Sequence, residues 1–277
     1  MEIIDQTLIL IVTGLIAGLI GSLSGLGGGV VLVPSLILLG YPVKYATGSS
    51  LISTIATSSG AASAYVKDRI SNIRIGITLE IGTTTGSIVG SLLAAKVNPE
   101  IIEIILGIVL IFSSFQGFFL RRSHEGGNQD KLSKILKLSG SYFDEASGRT
   151  ISYQASNYLQ GLGVMFLAGV ISGLLGIGSG ALKVIGMDLI MGLPIKVSTT
   201  TSNFMIGVTA AAGSGIYWHE GLINPYIASF VAIGVLLGSY IGSKTLVRMR
   251  GGSLRLIFSA VVLILGIEMI LRSQGWI

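Results

Sequence analysis

The feature that most restricts this chain is a series of eight long apolar blocks, at residues 7–39, 45–66, 73–96, 100–120, 158–192, 198–218, 222–246 and 253–272. Six of them suit a single membrane crossing, about 20 residues of helix. The chain is 51% hydrophobic and 11% charged, whereas an ordinary soluble domain carries about 25% charged residues. This is an integral membrane protein. The first block of each set of four is too long for one crossing. Thirty-three helical residues at 7–39 would reach about 50 Å, against a hydrocarbon core of about 30 Å. Such a block either tilts steeply or turns back on itself.

The blocks form two sets because the sequence repeats at a shift of 151 to 152 residues. "AGLIGSLSGLGGGVVLV" (17–33) matches "AGVISGLLGIGSGALKV" (168–184), with Gly25, Gly27 and Gly29 falling on Gly176, Gly178 and Gly180. "GYPVKYATGSS" (40–50) matches "GLPIKVSTTTS" (192–202). Asn72 pairs with Asn224, Gly86 with Gly238 and Gly90 with Gly242. The expected organisation is a first transmembrane repeat at 1–120, a polar linker at 121–157 and a second repeat at 158–277. A short amphipathic helix is expected in the linker at 131–138.

Charge decides how the long blocks run. With one crossing per opening block, the loop-side Lys and Arg divide almost evenly. With each opening block as a hairpin that enters and leaves on one side, only Lys44, Lys96 and Arg272 fall on one face, and the other fourteen fall opposite. The second division is what the positive-inside rule expects. It makes the linker cytoplasmic and both termini extracytoplasmic, in a multi-pass protein of the cell membrane. The N-terminus, "MEIIDQTLILIV", is acidic and reads as a retained span rather than a secretory signal. Three crossings per unit is an odd number, so the second unit is inverted. The expected fold is an all-α polytopic membrane protein of two inverted-topology repeats. Each is a re-entrant, broken helical hairpin plus three transmembrane helices, as in secondary transporters.

Glycine-rich turns at membrane depth are tolerated where protein or a cavity surrounds them. After each tip a helix is predicted to start, near Val30 and near Ala181. Unpaired N–H groups and the helix dipole make such starts suited to an anion. The tip residues Gly27, Gly28, Gly29, Gly178, Ser179 and Gly180 are therefore candidate binding residues. Lys183 falls near the midplane, where its repeat counterpart is Leu32; it is either an anion ligand or the partner of Asp188. Ser49, Ser50, Thr201, Ser202 and Asn203 begin the following helices. They either donate to an oxyanion or bond between helices. Further along, Thr57 pairs with Thr209 across the repeat. Glu80 and Asp188 are candidates for proton coupling, with snorkelling as the competing reading. Glu268 and Arg272 suit a surface pair. The series Gly82, Gly86, Gly90 and Gly234, Gly238, Gly242 read as packing seams.

Other chemistries are poorly served. There is no cysteine, and the two histidines, His124 and His219, fall in polar connections. That argues against thiolate chemistry and an intramembrane metal site, and no cofactor is expected. Neither glycine motif completes the nucleotide-binding pattern, and Ser179 has no histidine base within a span, so no enzyme activity is expected.

The paired "GLGGGVVLVP" and "GIGSGALKV" tips, each followed by a glycine–proline turn and a Ser/Thr run, resemble the TauE/SafE sulfite exporter family. "SNFMIGVTAAAG" (202–213) is also similar to that family's second half. The resemblance covers both repeats. It implies a permease for small sulfur-containing anions such as sulfite or organosulfonates, generally an exporter driven by an ion gradient. Ser179 stands where the family commonly has glycine, and Ile185 and Gly186 where a proline often follows. The reading is an anion transporter working by alternating access, with an anion channel on the same hairpins as the alternative. Its partners are the small anionic substrate and the lipid bilayer, with no nucleic acid; whether two copies form a homodimer is left open.

Overall fold

The computed structural model describes residues 2–24, 27–67, 70–119, 129–144, 148–248 and 252–274. Gly25, His124 and the basic residues Arg69, Arg121, Arg122 and Arg250 lie outside the described residues. The first half contains α1 (Glu2–Ser24), α2 (Gly29–Leu38), α3 (Val43–Lys67), α4 (Ile73–Lys96) and α5 (Pro99–Phe119). The second repeats this order as α7 (Tyr158–Leu175), α8 (Gly180–Ile185) with a π-helical turn at Gly186–Ile190, α9 (Ile195–His219), α10 (Pro225–Arg248) and α11 (Gly252–Ser273). Both long opening blocks are broken, so neither is a single rod. The inner helices begin at Gly29 and Gly180, one residue before the predicted starts.

Beside its apolar core, the molecule buries many polar groups and exposes many large apolar ones. On α4 the side chains of Ile77, Ile81, Ile88 and Leu92 are exposed, while Thr83, Ser87 and Ser91 are buried. A soluble helix shows the reverse. This distribution suits lipid as the surrounding solvent, where polar groups need partners within the protein. The helices α1, α4, α7 and α10 are each long and apolar enough to cross a membrane.

The helix contacts obey the same exchange as the sequence repeat. α1 packs on α10 and its counterpart α7 packs on α4; α3 packs on α9, and α5 on α11. The glycine series make the first two seams. A Cβ added at Gly86 would sit 2.1 Å from the Phe166 carbonyl oxygen, and one at Gly238 would sit 2.1 Å from that of Leu15. Only a residue without a side chain allows backbones this close. In the α3·α9 pair, Gly48 lies beside Tyr217 and Ser58 beside Gly207, so these equivalent helices run antiparallel. In the α4·α9 pair, Gly76 lies beside Phe204 and Gly213 beside Ser87 and Ser91, so those two run parallel.

Two faces can be recognised. Gly40–Tyr45, Pro99, Glu103, Leu222 and Arg272 line one cavity of about 360 Å³. Arg272 donates from Nη1 to the Ile37 carbonyl at 3.0 Å, at the C-terminal end of α2. This corrects the expected surface pairing of Arg272 with Glu268: a guanidinium capping a helix C-terminus is favoured by the dipole. At the other face, the start of α7 meets the end of the π turn. Asn157 Nδ2 donates to the Ile190 carbonyl at 3.1 Å, and the Ser156 amide to that of Met191 at 2.9 Å.

The linker differs from expectation. Its helix, α6, covers only Lys131–Ile135. It is followed by an antiparallel hairpin of β1 (Ser139–Asp144) and β2 (Arg149–Gln154), so the chain is not wholly α. The hairpin alternates exposed and buried residues and seats Tyr142 and Tyr153 inward. Asn72 Nδ2 donates to the Tyr153 hydroxyl at 3.0 Å, and Asp144 pairs with Lys196 at the start of α9. Burial pushes the Tyr153 phenol up, against the opposing effect of the Asn72 amide.

Candidate anion site at the meeting of two broken helices

Glycine's positive dihedrals build both tips. Gly27 has φ of +87°, and Gly176 and Gly178 have +67° and +71°. Ser179 takes φ of +44°, a left-handed conformation uncommon outside glycine. The tips touch each other. A Cβ at Gly29 would meet the Gly176 carbonyl oxygen at 2.6 Å and Ile177 Cα at 2.8 Å, while Gly27 lies beside the Ile177 carbonyl. Neither Gly28 nor Ser179 supplies a side-chain hydrogen bond as cap to the helix it precedes.

Hydroxyl groups from α3 and α9 surround this contact. Ser50 Oγ donates to the Gly176 carbonyl at 2.9 Å, across the two halves. Ser202 Oγ donates to the Gly180 carbonyl at 3.4 Å, within its own half. Thr57 Oγ1 lies against Gly28 and donates to the Ser53 carbonyl at 3.0 Å. Thr54 lies against Gly178. At the tips, Thr54 Oγ1 and Ser179 Oγ are buried without a hydrogen-bond partner, and so are Ser49 Oγ on α3 and Asn203 Nδ2 on α9. Leaving such a group unpaired costs about 1–3 kcal/mol, so each of them calls for an explanation.

Thr201 is not part of this group. Its hydroxyl accepts from the Asn72 amide at 3.0 Å, at the start of α4. The candidate residues that the fold gathers around the tips are Gly27, Gly28, Gly29, Ser50, Gly178, Ser179, Gly180 and Ser202. Ser49 and Asn203 are their buried sequence neighbours on α3 and α9.

Lys183 is wholly buried on α8, and its Nζ donates to Thr209 Oγ1 at 2.6 Å. Thr209 Oγ1 lies 2.6 Å from Glu80 Oε1 and 3.0 Å from the Met205 carbonyl. A hydroxyl has one proton to donate. The shorter contact, to a carboxylate, is the stronger acceptor. Thr209 thus accepts from the ammonium and donates to Glu80, bridging an ion pair. Thr84 Oγ1 donates to the same Glu80 oxygen at 3.2 Å, while Oε2 is buried with no hydrogen-bond partner. Glu80 faces inward, 8% exposed, instead of snorkelling to an interface. Asp188 is also buried, on the π turn.

Sequence reasoning placed Thr209 among the hydroxyls without assigning it the central position. One signal was available. Lys183 and Glu80 face Leu32 and Ala232 in the repeat alignment. Two charges at membrane depth that duplication does not explain are natural partners for each other.

The chain is similar to proteins already described as membrane transporters. It is 31% identical to the probable membrane transporter protein YunE of Bacillus subtilis, over 95% of this chain and 96% of that one. It is 29% identical to the probable membrane transporter protein YdhB of the same organism, over 86% and 87%. A probable membrane transporter protein of Methanocaldococcus jannaschii is 25% identical over 95% of each chain. No solved structure matches. The profile described as sulfite exporter TauE/SafE matches residues 10–269, and the chain belongs to that family of multi-pass membrane transporters.

Proposed function

We propose that this protein is a secondary transporter of small sulfur-containing oxyanions, such as sulfite or organosulfonates. The ion binds where the two broken-helix tips meet Lys183. One observation carries the reading: a fully buried lysine stands on the same short helix as an uncapped tip, whose own Ser179 hydroxyl is buried without a partner. Uncapped helix starts supply N–H groups, Lys183 supplies charge, and Ser49, Ser179 and Asn203 supply neutral donors. The family's description as a sulfite exporter supports the substrate class.

The two halves are inverted repeats. The antiparallel run of the equivalent helices α3 and α9 supports this, and so does the exchange of α1·α10 with α7·α4. Each broken pair is a re-entrant hairpin. For the second, the bonds joining Asn157 and Ser156 to Ile190 and Met191 bring its entry and exit together. The linker face is cytoplasmic by the excess of Lys and Arg there, and both termini face outward. Complete burial of Lys183 favours alternating access over a continuously open channel, because the ion reaches it only when helices move.

The test is binding to purified protein, read as stabilisation by sulfite, sulfate, thiosulfate and methanesulfonate, followed by counterflow in liposomes. Saturable binding and counterflow are expected. Both should vanish in the double variant Lys183→Met, Glu80→Gln, which removes the anion's charge partner without leaving an unpaired buried charge. Undiminished binding by that variant refutes the site, and uniform conduction without counterflow refutes the carrier.

A further inference from the structure

We infer that Glu80 carries a proton with the anion, so that the two cross the membrane together and the charge in the site stays at zero. The inference rests on the transport reading above and specifies what drives it. In the structure, the Lys183 ammonium is balanced by the Glu80 carboxylate through the Thr209 hydroxyl. An oxyanion bound to Lys183 takes over the same positive charge. Glu80 is then a second negative charge in a buried site with one cation, an arrangement the low-dielectric interior penalises. A proton from the water on the open side joins a Glu80 oxygen and restores neutrality. The empty site holds Lys183⁺ and Glu80⁻. The loaded site holds Lys183⁺, the monoanion and neutral Glu80. Both sum to zero, so both can pass through the sealed state. Release on the far side returns the anion and the proton, and no bond beyond O–H is made or broken.

The surroundings of Glu80 fit this role. Its Oε1 already accepts from Thr209 and Thr84, while Oε2 is buried with no hydrogen-bond partner, a site for the incoming proton. The elements packed on α4 are α7 and α9. α7 has no charged residue, and its Tyr158 donates to the Thr78 carbonyl. On α9, Lys196 pairs with Asp144, and Tyr217 and His219 lie toward the opposite end. Lys183 faces Glu80 from α8, followed by Asp188, buried on the π turn. In the repeat-related place, Leu32 and Ala232 carry no charge, so the exchange takes place on one side of the pseudosymmetry.

Methanesulfonate is the decisive probe, because it stays fully ionised near neutral pH and any proton that moves must be on the protein. With purified full-length protein in liposomes, its uptake should acidify the lumen by one proton per anion. An imposed pH gradient, acid outside, should accumulate it; a membrane potential alone should not. Apparent affinity should fall by up to about tenfold per pH unit as pH rises, the slope for one linked proton. Glu80→Gln, confirmed folded by gel filtration, should bind methanesulfonate with affinity independent of pH and lose accumulation driven by the gradient. Glu80→Asp should restore proton movement. Methanesulfonate flux without acidification, or gradient-driven accumulation by Glu80→Gln, overturns the inference and leaves the transport reading standing. Absence of saturable flux of both methanesulfonate and sulfite overturns the transport reading, and this inference with it.

Discussion

Removing one partner of the Lys183–Glu80 pair should cost far more than removing both. The two 2.6 Å legs through Thr209 hold Lys183 Nζ within about 5 Å of Glu80 Oε1. At an effective dielectric constant of about 20, unit charges at that separation attract by about 3 kcal/mol. Breaking a buried pair typically costs about 3–5 kcal/mol, because the remaining charge is stranded, whereas replacing both charges is often close to neutral. Lys183→Met and Glu80→Gln should therefore each lose about 3 kcal/mol, and the double variant much less than their sum. The assay is a double-mutant cycle by reversible SDS-induced unfolding in mixed micelles at pH 7, without added oxyanion. A coupling energy of about 3 kcal/mol is expected. Additive single losses would refute the bridged pair, since independent sites do not couple. Thr209→Val should recover only part of the coupling, because it removes the hydroxyl and keeps the shape.

Gly29→Ala places a methyl group 2.6 Å from the Gly176 carbonyl oxygen and 2.8 Å from Ile177 Cα, neither of which is a movable side-chain end. It should cost about 1–3 kcal/mol and abolish oxyanion flux; normal counterflow in this variant would contradict the tip contact. Ser58→Ala removes the 2.6 Å bond to the Asn203 carbonyl. It should cost about 1 kcal/mol in the same unfolding assay, with anion-induced stabilisation retained. Lys196→Met should cost under about 1 kcal/mol, because the Lys196 side chain is half exposed where it meets Asp144; combined with Tyr153→Phe it should speed limited proteolysis at the linker hairpin. The chain has no cysteine, so Ser141→Cys and His219→Cys can be labelled singly by an impermeant maleimide in intact cells. His219→Cys should react and Ser141→Cys should not; the opposite result would reverse the orientation.

What could be read from the residues alone was whatever depends on local pattern. Apolar runs of membrane length, the repeat at 151 to 152 residues, and glycines interrupting an overlong block predict crossings, duplication and broken helices from neighbours in sequence. Helix starts at Gly29 and Gly180 follow from the same local chemistry. The linker was less legible. Its β-hairpin is short, and its pairing is completed by contacts with Asn72 and Lys196, remote in sequence.

The tertiary structure alone decided the partners. Glu80 lies 129 residues from Thr209, and Thr209 lies 26 from Lys183. No periodicity in α4 could say whether a carboxylate one and a half turns inside it reaches the headgroups or turns inward. That choice belongs to the packing of α4 on α9, which offers Thr209 to both charges. Thr201 shows the same limit: adjacent to Ser202 in sequence, it points to the start of α4 and leaves the tips. Lipid imposes where apolar residues go, and so the crossings are written locally. The direction of each polar side chain inside the bundle depends on which distant helix stands beside it.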